Sequence, residues 1–168
     1  MRPITDQTLK AVFLDLDDTL SDELHRLNVA YSVALAQFPN RLTSSQVKET
    51  LHHYMILVAD LYERNAWTEL SEEQRLRLAL EQAGVKSNDD LRTAIIREYF
   101  RNYHQGLRLL PGAAQLLQEA NCHCTCLITN GETQIQTEKL RLLSLRGYFN
   151  HILISEEFGS SKPDLAIF

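Results

Sequence analysis

Cysteine is scarce in this chain: three residues, Cys122, Cys124 and Cys126, crowded into one segment of a 168-residue sequence. An odd number in one place does not make a disulfide framework, and a reducing cytoplasm suits it better. Long apolar runs are missing as well. The N-terminal MRPITDQTLK holds no apolar stretch of leader-peptide length, and nothing later approaches a transmembrane span. Positive charge is also short, with 17 Lys and Arg against 22 Asp and Glu. The resulting net charge of −5 is spread along the chain, which excludes the basic face that nucleic acid requires. Repeats and low-complexity tracts are absent.

What is present suits one ordinary folded domain, or a small core carrying an inserted module, at 44% hydrophobic residues. Three short apolar runs read as strands: AVFLD (11–15), CTCLIT (124–129) and HILIS (151–155). Each is continuous rather than alternating, the pattern of strands covered on both faces in a parallel sheet. Helical patterns separate the later runs. PGAAQLLQEA (111–120) starts at a proline, and ETQIQTEKLRLLSLRG (132–147) ends at a glycine suited to a C-cap. Strand–helix–strand order at this spacing predicts right-handed βαβ units in an α/β fold.

Between Asp22 and His104 only helical periodicity is visible. Leu24, Leu27, Tyr31, Ala34, Leu35 and Phe38 form one stripe, and Val47, Leu51, Met55, Val58 and Leu61 a second. Leu76, Leu80 and Ala83 mark a third helix, and Leu91, Ile95, Tyr99 and Tyr103 a fourth. Thr43 with Gln46, and Ser71 with Gln74, have capping-box spacing. A four-helix module is thus inserted into an α/β core.

The first strand runs into VFLDLDDTLSD (12–22), where Asp15, Asp17 and Asp18 are followed by Thr19. Like charges this close cost stability unless something uses them. An EF-hand loop is excluded, because its sixth and twelfth positions hold Leu20 and Arg26 rather than Gly and Glu. A purely structural acidic turn explains neither Thr129 nor Lys162. In open parallel sheets chemistry gathers at the carboxyl ends of strands. Asp15, then Thr129 and Asn130, then Ser155 with Lys162 beyond it, all fall at that edge.

VFLDLDDTL, LITNG and SSKPD, in that order and each after an apolar strand, resemble the first three motifs of the haloacid dehalogenase (HAD) superfamily. The resemblance implies a Rossmann-like parallel sheet core, at 1–20 and 109–168, with a helical C1-type cap at 21–108. It implies Asp15 as a nucleophile forming an aspartyl-phosphate, and Asp17 as general acid and then base. Mg²⁺ would sit on the Asp15 carboxylate and the Asp17 backbone carbonyl. Thr129 would hydrogen-bond a phosphoryl oxygen with Thr19, Asn130 and Gly131 close by, and Lys162 would supply positive charge. An acid two residues after the nucleophile favours phosphoryl transfer over carbon–halogen hydrolysis. The implied activity is hydrolysis of a small phosphorylated metabolite, with the cap closing over the site and selecting it. A phosphomutase of the same superfamily, and a non-catalytic binding protein, are the alternatives.

The family's fourth motif, an acidic pair after a further strand, is absent before the chain stops at KPDLAIF. This implies a core incomplete at its C-terminus, a piece of a longer chain, or an AVFLD edge covered by a partner or by self-association. Glu156, Glu157 and Asp164 are weak substitutes for the missing metal ligand. CHCTC (122–126) alternates at a strand start, so its thiols read as small hydrophobes on one face rather than a metal site. His52 and His53 read as surface or packing residues, and Tyr62 and Trp67 as packing. His25 and Arg26 follow the acidic turn, where either a contact to a substrate's second anionic group or a solvated helix start would place them. Pro163 reads as the first residue of a helix.

Overall fold

A computed structural model describes residues 10–64, 66 and 69–168. Trp67 lies outside the described residues. The chain divides into two compact units, one formed by the residues up to Glu23 with Leu107–Phe168, the other by Leu24–Gly106.

The first unit contains a parallel three-stranded sheet in the order β1 (Ala11–Leu14), β2 (Cys124–Thr129), β3 (His151–Ile154). Register runs from Ala11 opposite Cys124 to Leu14 opposite Leu127, and from Cys126 opposite His151 to Thr129 opposite Ile154. Among the described residues, helices α1 (Glu23–Ala36), α2 (Ser44–Glu63), α3 (Glu72–Gln82) and α4 (Asp89–Arg101) lie between β1 and β2. They are followed by α5 (Ala113–Ala120), α6 (Thr133–Leu142) and the single-turn α7 (Ser155–Phe158).

Strand side chains alternate between faces, so β2 sends Leu127 one way and Cys126 and Ile128 the other. Leu127 joins Leu16, Leu20, Ala113, Leu117, Leu140 and Leu145 in a buried layer with α5 and α6. Each leucine buried there contributes about 2 kcal/mol by leaving water. The opposite face is thinner: Cys126 and Ile128 meet Ile167 and Leu153. Burial raises the Cys126 thiol above its ordinary pKa.

Several expectations are corrected. Phe13 is 59% exposed, because it lies on β1, at the edge of the sheet, opposite Cys126 on the thin face. Cys122 and Cys124 are exposed and only Cys126 is buried, since the strand starts at Cys124. α6 stops at Leu142, not Gly147; Ser144 takes the left-handed conformation (φ 56°) and a 3₁₀ turn follows at Arg146–Tyr148. Pro163 starts no helix. It follows a cis peptide bond, and Asp164 caps a 3₁₀ turn at Leu165–Ile167 by accepting from the Ala166 N–H.

The second unit is α1 beyond its first residue, with α2, α3 and α4. Leu27, Tyr31, Leu35, Tyr54, Val58, Leu76, Leu80, Leu91, Ile95 and Tyr99 form its core. Both capping boxes are formed: the Thr43 and Ser71 hydroxyls accept from the Gln46 and Gln74 N–H groups, and each glutamine accepts in return. Each box satisfies helix N–H groups that otherwise lack partners. The core is not wholly apolar. Glu72 accepts from the hydroxyls of both Tyr31 and Tyr54 and pairs with Arg75 at 2.9 Å. Tyr31 stacks on Tyr99 with centroids 4.3 Å apart.

Arg26 belongs to this interior. It is 1% exposed, donates to the Tyr103 carbonyl at 2.7 Å, and lies 3.7 Å from the centroid of the Tyr103 ring. A guanidinium used in this way is a packing element, neither a solvated helix start nor a side chain reaching for a substrate anion. His25 is half-buried, His52 is exposed, and Tyr62 is 39% exposed.

Burial first, then neighbouring Tyr54 and Glu72, raises Tyr31 well above the ordinary tyrosine pKa of 10.0; burial and then Glu72 do the same for Tyr54. Above that value the unfolded tyrosines release protons that the folded ones keep. Their contribution is therefore complete below the unfolded pKa and is lost as pH rises toward the folded values. Urea unfolding should show stability declining from about pH 9 to about pH 11, with the slope reduced by Tyr31→Phe and Tyr54→Phe. Separately, Ser71→Ala should cost about 1 kcal/mol in the same assay.

Candidate active site

The carboxyl edge of the sheet gathers the acidic turn, the end of β2 and the segment after β3. Asp15 follows β1, and the chain then folds back on itself. The Leu16 carbonyl accepts from the N–H groups of Leu20 and Ser21, each at 2.9 Å. Asp18 takes a left-handed conformation (φ 54°), which a short polar side chain tolerates, and its carboxylate accepts from the Glu23 N–H at 3.0 Å.

The turn separates the two acids. Asp15 Oδ1 accepts from the Leu16 N–H at 2.8 Å and pairs with Lys162 Nζ at 2.6 Å. Its Oδ2 has no donor among the described residues. Lys162 Nζ also donates to the Ile128 carbonyl at 2.9 Å. Asn130 holds the Lys162 peptide at both ends, accepting from its N–H at 2.8 Å and donating to its carbonyl at 3.0 Å. The Asn130 side chain thus supports Lys162.

Asp17 has a different cation. Its Oδ1 accepts from Lys139 Nζ at 2.8 Å and from the Ser21 hydroxyl at 3.1 Å, and its Oδ2 from Gln136 Nε2 at 2.9 Å. Lys139 also pairs with Glu23 at 2.9 Å and is 2% exposed. Removing an ammonium from water costs several kcal/mol, and two carboxylates in contact offset it. Gln136 Nε2 reaches Thr129 Oγ1 and the Asn130 carbonyl, both at 2.8 Å.

Thr129 is 1% exposed, its hydroxyl engaged by Gln136. Gly131 lies at φ 139°, a region that favours glycine, and a Cβ there would come within 3.1 Å of the Gln136 side chain. Its N–H donates to Ser155 Oγ at 2.9 Å. Thr19 is exposed, and its side chain makes no hydrogen bond to this network.

Asp15, Asp17, Thr129, Asn130, Gly131 and Lys162 therefore converge, while the Thr19 side chain stands apart. Lys139, Gln136, Ser21 and Glu23 are members that the sequence reading missed, while Ser155, expected at this edge, accepts from the Gly131 N–H. One signal existed: Gln136, Lys139, Leu140 and Leu143 occupy one helical stripe, so the two polar residues face inward with the leucines. Two of the weak substitute ligands are used elsewhere, Glu156 accepting from the Thr133 N–H at 2.7 Å and Asp164 capping its 3₁₀ turn, and Glu157 is exposed. Among the described residues, no three His, Cys, Asp or Glu side chains form a metal cluster.

The sequence matches the haloacid dehalogenase-like hydrolase family over residues 9–168, and the chain belongs to that family. It is 31% identical to glyceraldehyde 3-phosphate phosphatase of Methanothermobacter thermautotrophicus, over 95% of this chain and 69% of that protein. It is 35% identical to phosphoserine phosphatase of Thermus thermophilus, over 61% of this chain and 41% of that protein. Among solved structures, magnesium-bound YfnB from Bacillus subtilis matches with a TM-score of 0.64 at 23% identity, over 95% of this chain and 69% of that one. At that identity the likeness shows the fold alone.

Gly131→Ala should destabilise the chain by about 1–3 kcal/mol in urea unfolding, because it combines a strained backbone with a displaced Gln136.

Proposed function

We propose that the chain is the core and cap of a Mg²⁺-dependent phosphomonoester hydrolase acting on a small phosphorylated metabolite. The observation that carries this reading is the pair Asp15 and Asp17 at the end of β1, each with its own lysine, beside Thr129 at the end of β2. The phosphatase relatives support it.

In this reading an Asp15 carboxylate oxygen attacks phosphorus and the bond from phosphorus to the ester oxygen breaks. The departing alkoxide takes a proton from the Asp17 carboxyl group. Water then attacks the aspartyl-phosphate, giving its proton to Asp17 and restoring the Asp15 carboxylate as phosphate leaves. Lys162 balances charge on the transferring oxygens. The Thr129 hydroxyl, which donates to the Asn130 carbonyl at 3.4 Å, redirects that hydrogen to a phosphoryl oxygen. Asn130 and Gly131 border the phosphate, and residues 21–108 serve as a C1-type cap.

The donors present suit a hard cation that keeps most of its water. Asp15 Oδ2 and the Asp17 carbonyl are oxygens with no hydrogen-bond donor among the described residues, and they would hold the ion. Bound there, Mg²⁺ would neutralise charge between an anionic nucleophile and an anionic phosphate.

Phosphate release from 4-nitrophenyl phosphate tests the reading. Release should require Mg²⁺, stop on chelation with EDTA, and fall at least about 1,000-fold in Asp15→Asn. Release that ignores both, or no release from the unsubstituted chain, contradicts it.

A further inference from the structure

We propose that Lys139, seated by Glu23 and assisted by Gln136, is the positioning residue that holds Asp17 for its proton transfers. The proposal rests on the hydrolase reading above and concerns residues outside the three motifs that suggested it.

Lys139 does not behave as a surface lysine. It is 2% exposed, and its ammonium touches Asp17 Oδ1 at 2.8 Å and Glu23 Oε2 at 2.9 Å. Contact with Glu23 on one side means that the ammonium cannot follow Asp17 if that side chain turns away. Gln136, one helical turn earlier on α6, holds the other Asp17 oxygen at 2.9 Å. The same Gln136 nitrogen contacts Thr129 and the Asn130 carbonyl. One face of α6 thereby fixes a side chain after β1 against the end of β2.

The orientation of the Gln136 amide follows from its neighbours. The Asn130 carbonyl only accepts, so the nitrogen must face it. Gln136 Oε1 is left buried without a donor. A buried acceptor without a donor is costly, and it is tolerated where the amide nitrogen serves several acceptors.

Two carboxylates share the Lys139 ammonium. Without it, Asp17 and Glu23 would repel each other across a poorly solvated space, and Asp17, the more exposed of the two, would turn outward. Its separation from Asp15 would then vary, and with it the distance to the leaving oxygen. Proton transfer depends on that distance; nucleophilic attack by Asp15, held by Lys162 and the Leu16 N–H, does not.

The test compares kcat/KM for phenyl phosphate, a poor leaving group that needs a proton, with 4-nitrophenyl phosphate, a good one that needs little help. Lys139→Met should lower kcat/KM for phenyl phosphate about 10- to 100-fold and for 4-nitrophenyl phosphate less than about threefold. In an Asp17→Asn background the same substitution should cost almost nothing further. If Lys139→Met does not fold, Lys139→Met with Glu23→Gln removes the second carboxylate and should show the same leaving-group dependence. Equal losses on both esters, or a full additional loss in the Asp17→Asn background, overturn the proposal and make Lys139 purely structural. An Asp17→Asn variant with unchanged activity on phenyl phosphate overturns the hydrolase reading's proton donor and the proposal together. If the unsubstituted chain releases no phosphate, the hydrolase reading fails, and a crystal structure of Lys139→Met decides the placement. Asp17 turned from Ser21 and Gln136 supports it, and Asp17 unmoved overturns it.

Discussion

Two carboxylates two residues apart at the end of one strand would repel if both faced the same space. The chain separates them by giving each its own ammonium. Asp15 pairs with Lys162, which arrives after β3, and Asp17 pairs with Lys139, which arrives from α6. These pairings differ in exposure as well as origin. Lys162 is part-exposed, whereas Lys139 is enclosed by the protein. The remaining contacts in the site keep these two cations where they are.

The support is layered. Asn130 grips the Lys162 peptide through both of its polar groups, so a side chain in the β2 loop sets a cation more than thirty residues later. Gly131 permits the close approach that lets Gln136 reach Thr129 and Asp17 together. Leu140, next to Lys139 on α6, is buried with Leu127 of β2 and Leu117 of α5. The apolar layer therefore fixes the helix that delivers the lysine. Packing and electrostatics act on the same short helix, which is why its polar residues can be buried at all.

Much of this was legible in the residues. AVFL, CTCLIT and HILI announced themselves as strands by unbroken apolar character, and Thr43–Gln46 and Ser71–Gln74 announced helix starts by local chemistry alone. The acidic turn, Thr129 and Lys162 were readable because topology brings strand ends to one edge. Other features depend on contacts that no local pattern encodes. Gln136 and Lys139 share a helical stripe with Leu140 and Leu143, but their partners appear only once α6 is docked. Arg26, which reads as either a ligand contact or a solvated helix start, is buried against Tyr99 and Tyr103. Ser144 preempted Gly147 as the left-handed residue after α6, and the Lys162–Pro163 segment formed a turn rather than a helix start. Local propensity loses at such positions to the arrangement around them.

In the proposed reaction Asp15, held by Lys162 with one oxygen left open, supplies the oxygen that attacks phosphorus and carries the phosphoryl group. Mass spectrometry of peptides from protein quenched in acid during turnover of 4-nitrophenyl phosphate with Mg²⁺ tests it most directly. The account predicts a phosphoryl group on the peptide carrying Asp15, absent from Asp15→Asn. Turnover with no phosphorylated peptide when hydrolysis of the intermediate is slowed in Asp17→Asn, or a phosphoryl group on another residue, would contradict it.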